Sequence, residues 1–225
     1  VSADLADLRA EVAAAARRLA AEGLLIGTAG NVSARDPETG LIAITATGVV
    51  LGDCTPDQVS VVDRSGALVT GDLEPTSELD LHLAVITTYG AGAVVHTHAP
   101  NATAIACVRE DLPVLHYQQL ALGGTVRVAP YATFGTAELA AHVVAALQDR
   151  SGALMANHGA VTHGSTLTKA VENALLLEWC CRLFRHAAAL GTPRELDEQQ
   201  QLAVIEAAIA RDYGTPRPAR AEEGS

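Results

Sequence analysis

His96-Thr97-His98 is the stretch of this chain with the plainest chemical meaning. Residues two apart in a strand point to the same face, about 7 Å apart along the backbone. Two imidazoles so placed can converge on one cation, and the apolar run Ala93-Val94-Val95 before them supports a strand. A third candidate is His158, in Asn157-His158-Gly159 after Ala153-Leu154-Met155-Ala156. Taken singly, each histidine also reads as a structural side chain. Taken together, three histidines at strand ends would form an open site for Zn2+, with positions left for substrate oxygens.

Glu78 follows Pro75-Thr76-Ser77 at the expected start of a helix. Acidic residues are common in a first helical turn. A helix N-terminus carrying two hydroxyls is also an anion site, which would give Thr76 and Ser77 a phosphate and Glu78 a proton-transfer role beside the metal. Gly27-Thr28-Ala29-Gly30-Asn31 is a second anion cradle, because small residues let backbone N–H groups approach an oxyanion. Thr47-Gly48 has the same character. His82, one helical turn after Glu78, could face the same way. The chain has 14 arginines and a single lysine, Lys169, in a polar stretch that reads as an exposed helix start. Schiff-base chemistry needs a desolvated lysine, so carbanion chemistry here points to a metal as the electron sink.

The elements that must position these groups follow from periodicity and punctuation. Helices are expected over 2–22 (Ser2 as cap, Gly23 as stop), from Pro75 to Tyr89, from Pro100 to about Cys107, over 137–148, and over about 166–190 and 195–212. Strands are expected near 31–33, over 41–45, 57–62 and 67–69, over 93–97, near Val114 and over 153–156, breaking at Asn157-His158-Gly159. Without a strict β-α-β rhythm, this predicts an α/β, three-layer architecture, with a central mixed or antiparallel sheet flanked by helices on both faces. No repeat or linker divides the chain, so 1–225 reads as one domain, with 216–225 a mobile tail.

Composition narrows the function further. The net charge of −11 and the pI of about 5.1 give no electrostatic case for nucleic acid or an anionic membrane. Neither a signal-peptide pattern nor a run of 18 apolar residues is present, and Cys54, Cys107, Cys180 and Cys181 form no C-x-x-C pair. A reduced, cytoplasmic setting is expected.

Several of these blocks, in this order, resemble the class II aldolase/adducin-like family. They are Gly27-Thr28-Ala29-Gly30-Asn31-Val32-Ser33, Thr47-Gly48, Pro75-Thr76-Ser77-Glu78, Val94 to Ala99, His116-Tyr117, Gly123-Gly124, Ala129 to Thr136, Asn157-His158-Gly159 and Tyr213-Gly214. The resemblance implies a class II aldolase that reversibly cleaves a ketose 1-phosphate, such as L-fuculose 1-phosphate, to dihydroxyacetone phosphate and an aldehyde. It assigns one zinc per subunit to His96, His98 and His158. Glu78 would coordinate the empty site and act as acid/base once substrate displaces it. Thr28, Gly30, Asn31, Thr47, Gly48, Thr76 and Ser77 would hold phosphate, with Phe134 lining the aldehyde pocket. Tyr117 and Tyr213 would complete the aldehyde end from a neighbouring subunit of a homotetramer. Thr76 departs from the serine of close relatives; the added methyl narrows the site. A sugar-phosphate epimerase, a methylthioribulose-1-phosphate dehydratase and a non-catalytic adducin-like module remain rivals on the same fold. Epimerase-type relatives carry Asp where this chain has Glu78.

Overall fold

The structure is a computed structural model that describes residues 5–211 and 213. Ser2, Gly214 and the tail expected over 216–225 lie outside the described residues. Helix α1 (Ala6–Ala21) precedes four strands, β1 (Asn31–Arg35), β2 (Ile42–Thr45), β3 (Val59–Val62) and β4 (Leu68–Thr70). Next come α2 (Leu79–Tyr89), β5 (Ala93–Thr97), α3 (Pro100–Ala106), β6 (Asp111–Leu112) and β7 (Val126–Ala129). The remaining elements are α4 (Ala137–Ala146), β8 (Gly152–Met155), β9 (Gly159–Gly164), α5 (Leu167–Leu190) and α6 (Glu198–Ala210).

Among the described residues, nine strands join in the order β4-β3-β2-β1-β5-β9-β8-β7-β6. Every neighbouring pair is antiparallel except β7 with β8, so the sheet is mixed, as expected. Alternation along the strands feeds two cores. On one face Val32, Ala34, Ala93 and Val95 pack with Val12 and Leu19 of α1, Ile105 of α3 and Leu177 of α5. On the other, Ile42, Ile44, Val94 and Val161 pack with Leu81 and Val85 of α2 and Leu139 and Val143 of α4. Helices therefore cover both faces, giving the three layers. No helix among the described residues is long and apolar enough to cross a membrane.

Several boundaries differ from the sequence expectation for physical reasons. The helix expected from Pro75 begins at Leu79. The segment before it stays extended because it binds the end of β2: the Thr76 N–H donates to the Thr45 carbonyl (3.1 Å) and the Thr47 N–H to the Glu74 carbonyl (3.0 Å). Glu78 is thus the N-cap residue, with Thr76 and Ser77 before the helix. The short strand expected near Val114 lies at Asp111–Leu112. Strands β7 and β9 fall outside the expectation altogether. Strand β9 is bounded by glycines, which weaken a strand signal. Gly159 is there for close approach: a Cβ on it would sit 2.2 Å from the carbonyl oxygen of Thr97 on β5.

Candidate active site

His96 points toward the α2 side of the sheet, like Val94 two residues earlier. It is fully buried, and its Nδ1 lies 3.0 Å from the Ala160 carbonyl on β9. A proton on that nitrogen would donate to the carbonyl, and the ring turns Nε2 toward the cleft. His98 follows the end of β5 and His158 precedes β9, and those strands pair at Thr97 and Ala160. The three imidazoles meet edge to face with centroids 4.8 to 4.9 Å apart. Their ligating atoms all lie within 4.8 Å of one another. Nε2 of His96 and Nε2 of His98 are only 3.0 Å apart. Two lone pairs at that distance repel unless a proton or a cation sits among them.

Glu78 faces this cluster from the start of α2. Its Oε2 lies 3.0 Å from His96 Nε2 and accepts from Asn31 Nδ2, also at 3.0 Å. Its Oε1 is buried, accepts no hydrogen bond, and lies 3.5 Å from His158 Nε2. Burial pushes this carboxyl up, but the charge and hydrogen bond of His96, the Asn31 amide and His158 outweigh it. The group is held well below the usual carboxylate range and is ionised. His98 is pushed down to about 4 by burial, then by repulsion from His96 and His158. Burial, then His96, also lowers His158. Imidazoles gathered on one point, two of them pushed down by burial, and a carboxylate oxygen lacking a partner fit a divalent cation bound by nitrogen and oxygen.

A cleft of about 480 Å³ opens over the cluster. It is lined by Glu78, His98 and His158 and by all the residues expected to bind phosphate or substrate: Thr28, Gly30, Asn31, Thr47, Gly48, Thr76, Ser77 and Phe134. The bridge between Ala46 and Pro75 sets Thr47-Gly48 beside Thr76-Ser77. Gly30, at φ 99°, allows its turn to approach β5, where a Cβ would lie 3.0 Å from the His96 carbonyl oxygen. The Thr76 hydroxyl oxygen accepts from Asn31 Nδ2 (3.0 Å) and from the Glu78 N–H (3.3 Å). Its own proton is left to donate into the cleft, as an anion site requires.

Tyr131 and Asn157 also line the cleft, although no role was assigned to them from sequence. Asn157 adopts φ 54°, a left-handed conformation in the turn that presents His158. Both stand inside the motifs Ala129 to Thr136 and Asn157-His158-Gly159, which were the available signal. Tyr117 and Tyr213 lie elsewhere in the single chain. Their hydroxyls are 3.2 Å apart, and they line a separate cavity of about 520 Å³ together with Lys169. Lys169 is exposed and does not line the histidine cleft.

A nine-stranded mixed sheet with helices on both faces and three histidines beside a carboxylate is the arrangement of a class II aldolase. The chain belongs to that family: residues 10–184 match the Class II Aldolase and Adducin N-terminal domain. It is 35% identical over 198 residues to 5-deoxy-D-ribulose 1-phosphate aldolase of Bacillus thuringiensis serovar kurstaki, covering 87% of this chain and 93% of that protein. It is 37% identical over 194 residues to 5-methylthioribulose-1-phosphate/5-deoxyribulose-1-phosphate aldolase of Rhodospirillum rubrum, covering 85% and 86%. Among solved structures it is similar to L-fuculose 1-phosphate aldolase, with a TM-score of 0.85 and 34% identity over 89% of this chain and 95% of that one. The protein is an aldolase of the metal-dependent class.

Proposed function

We propose that the protein reversibly cleaves the C3–C4 bond of a ketose 1-phosphate, giving dihydroxyacetone phosphate and an aldehyde. L-fuculose 1-phosphate and the 5-deoxypentulose 1-phosphates are the leading substrates, because the relatives' names share a ketose phosphorylated at C1. The observation that carries this reading is the meeting of His96, His98 and His158 with Glu78 in one cleft. The three imidazoles would hold a divalent ion, zinc by donor type. When bound, that ion supplies Lewis-acid polarisation at the substrate's carbonyl and neighbouring hydroxyl oxygens.

The chain's own residues do the rest. Thr28, Asn31, Thr47, Thr76 and Ser77, with the Gly30 and Gly48 turns, hold the phosphate away from the breaking bond and spend its binding energy on orientation. Glu78 is ionised, which is the base form: in the condensation direction it takes a proton from C3 of dihydroxyacetone phosphate, and in cleavage it returns one there. In the condensation direction Tyr117 or Tyr213 gives its hydroxyl proton to the aldehyde oxygen, and in cleavage the same group, as tyrosinate, takes the C4 hydroxyl proton. Neither tyrosine lines the histidine cleft of its own chain, so this role requires a neighbouring copy. Exposed Ile205 and Ile209 of α6 border the tyrosine cavity and offer an apolar surface for such a copy. A homotetramer is the assembly we infer, each chain contributing one domain.

The deciding experiment assays a panel of ketose 1-phosphates with the purified protein, measuring dihydroxyacetone phosphate. Release of that product with a matching aldehyde supports the reading. A dehydrated ketone or an epimer as sole product would replace it with one of the rival activities.

A further inference from the structure

Behind Glu78 lies a line of buried polar groups that the proposed chemistry does not use directly. His82, on α2, is fully buried, as is Ser33 on β1. The Ser33 hydroxyl lies 2.7 Å from His82 Nδ1. On the other side of the ring, His82 Nε2 makes a short hydrogen bond with Asn31 Oδ1. The Asn31 Nδ2 then reaches both Glu78 Oε2 and Thr76 Oγ1 at 3.0 Å. Ser33, His82, Asn31 and Glu78 therefore form one unbroken chain from the sheet to the cleft.

Donor and acceptor roles along this chain are fixed by its last member. An ionised carboxylate only accepts, so Asn31 must turn its NH2 toward Glu78 and its oxygen toward His82. That oxygen needs a donor, which places the ring proton on Nε2. Nδ1 then carries a lone pair, and the Ser33 hydroxyl must donate to it. Reversing any one link would set two acceptors face to face, either the His82 ring and the Asn31 oxygen or the Asn31 oxygen and the Glu78 carboxylate.

We propose that His82 is a positioning residue for the aldolase reaction. Held by Ser33 in the Nε2–H form, it locks the Asn31 amide in the orientation that serves Glu78 and Thr76 together. The proposal deepens the acid/base reading of Glu78 and rests on it. His82 touches no substrate; it acts through Asn31. Because the Asn31 NH2 spans the base and a phosphate-side hydroxyl, one amide orientation coordinates both ends of the cleft.

Two amide substitutions separate positioning from packing. In His82→Gln, the side-chain NH2 reaches the place of Nε2 and can still donate to Asn31. In His82→Asn, the shorter amide stays near Ser33 and leaves Asn31 without its donor. With the metal-loaded protein, His82→Asn is expected to lower kcat by about 10- to 100-fold, the loss of one charge-linked hydrogen bond at a buried site. His82→Gln should recover most of that. Metal content and the circular dichroism spectrum should match wild type in both. Equal kcat in the two variants and wild type, or equal losses in both variants, would overturn the proposal.

Neutron diffraction of wild-type crystals supplies a readout independent of turnover and of any variant's folding. It should place the His82 proton on Nε2 and the Ser33 proton toward Nδ1; a proton on Nδ1 would overturn the proposal. Glu78→Gln keeps the two ideas apart. Full turnover in that variant removes Glu78 from acid/base chemistry, whereas wild-type turnover in His82→Asn beside an inactive Glu78→Gln refutes His82 alone.

Discussion

Glu78 Oε2 and His96 Nε2 lie 3.0 Å apart, joining the cap of a helix to the central strand of the sheet. This contact sets the carboxylate against the imidazole cluster. In the proposed mechanism a carboxylate so placed would serve the resting site as a partner and the working site as a base. Replacing it by an amide keeps the shape and removes the base. Glu78→Gln should lower kcat by about 100-fold or more with the fold intact, measured as dihydroxyacetone phosphate release alongside circular dichroism. An unaltered rate would refute the assignment.

Metal removal tests the histidine cluster directly. Extensive dialysis against a chelator should abolish cleavage, and one equivalent of zinc per chain should restore it. His158→Ala should lower the metal retained, as measured by elemental analysis. Full activity in a sample verified as metal-free would end the proposed role of the three imidazoles.

The separation of Tyr117 and Tyr213 from the histidine cleft makes a mixing prediction. The double variant Tyr117→Phe/Tyr213→Phe and Glu78→Gln should each be nearly inactive alone. If sites are shared between copies, hybrids refolded from the two variants should regain part of the lost rate, because some clefts then combine an intact Glu78 with a partner's intact tyrosine. No recovery in verified mixed oligomers would place the whole reaction within one chain.

Stability of the metal-free protein should depend on pH in a stated direction. Burial first, then the charge of His96, pushes His82 down to about 3, against 6.5 for a free ring, while Glu78 opposes. Between those values the unfolded chain binds a proton that the folded chain refuses. Stability is therefore full above pH 6.5 and falls as pH drops toward 3, by up to about 1.4 kcal/mol per pH unit for this one ring. His98, pushed down to about 4, acts in the same sense. Urea midpoints measured from pH 7.5 to 5 should fall; a flat profile would contradict the burial of these rings as neutral groups.

Gly159 gives a purely steric test. A methyl group there would meet the Thr97 carbonyl oxygen at 2.2 Å, and the nearest atoms, all backbone of Thr97 and His98, have little freedom to move aside. Gly159→Ala should cost about 1–3 kcal/mol or more and lower metal retention, since it pries β9 from β5 beside His98 and His158. An unchanged melting temperature would show that the two strands yield easily.

The gathering of the three histidines was legible in the sequence because these candidate ligands sit in short, rigid contexts. The strand under His96 was set by Ala93-Val94-Val95, and the turn under His158 by Asn157-His158-Gly159. The boundary of α2 was not legible, because Pro75-Thr76 is kept extended by hydrogen bonds to β2, a partner far away in sequence. His82 was noticed only for its spacing from Glu78. Its proposed positioning role depends on Ser33 and Asn31, whose approach across β1 appears only once the sheet is assembled. Strand β9, written largely in small residues between glycines, carries a close-approach constraint that no local propensity expresses.

Phe134 and Tyr131 stand at the rim of the cleft, 65% and 63% exposed, while Asn31, Thr76, Glu78 and His96 lie beneath it at 6% or less. The exposed edge therefore bears little of the fold's weight, whereas the buried members below are tied into the sheet or the helix cap. If these aromatics face the aldehyde, as the family resemblance implies for Phe134, diversification of the aldehyde accepted would proceed by exchange at the rim, one substitution at a time, with the buried groups beneath left standing.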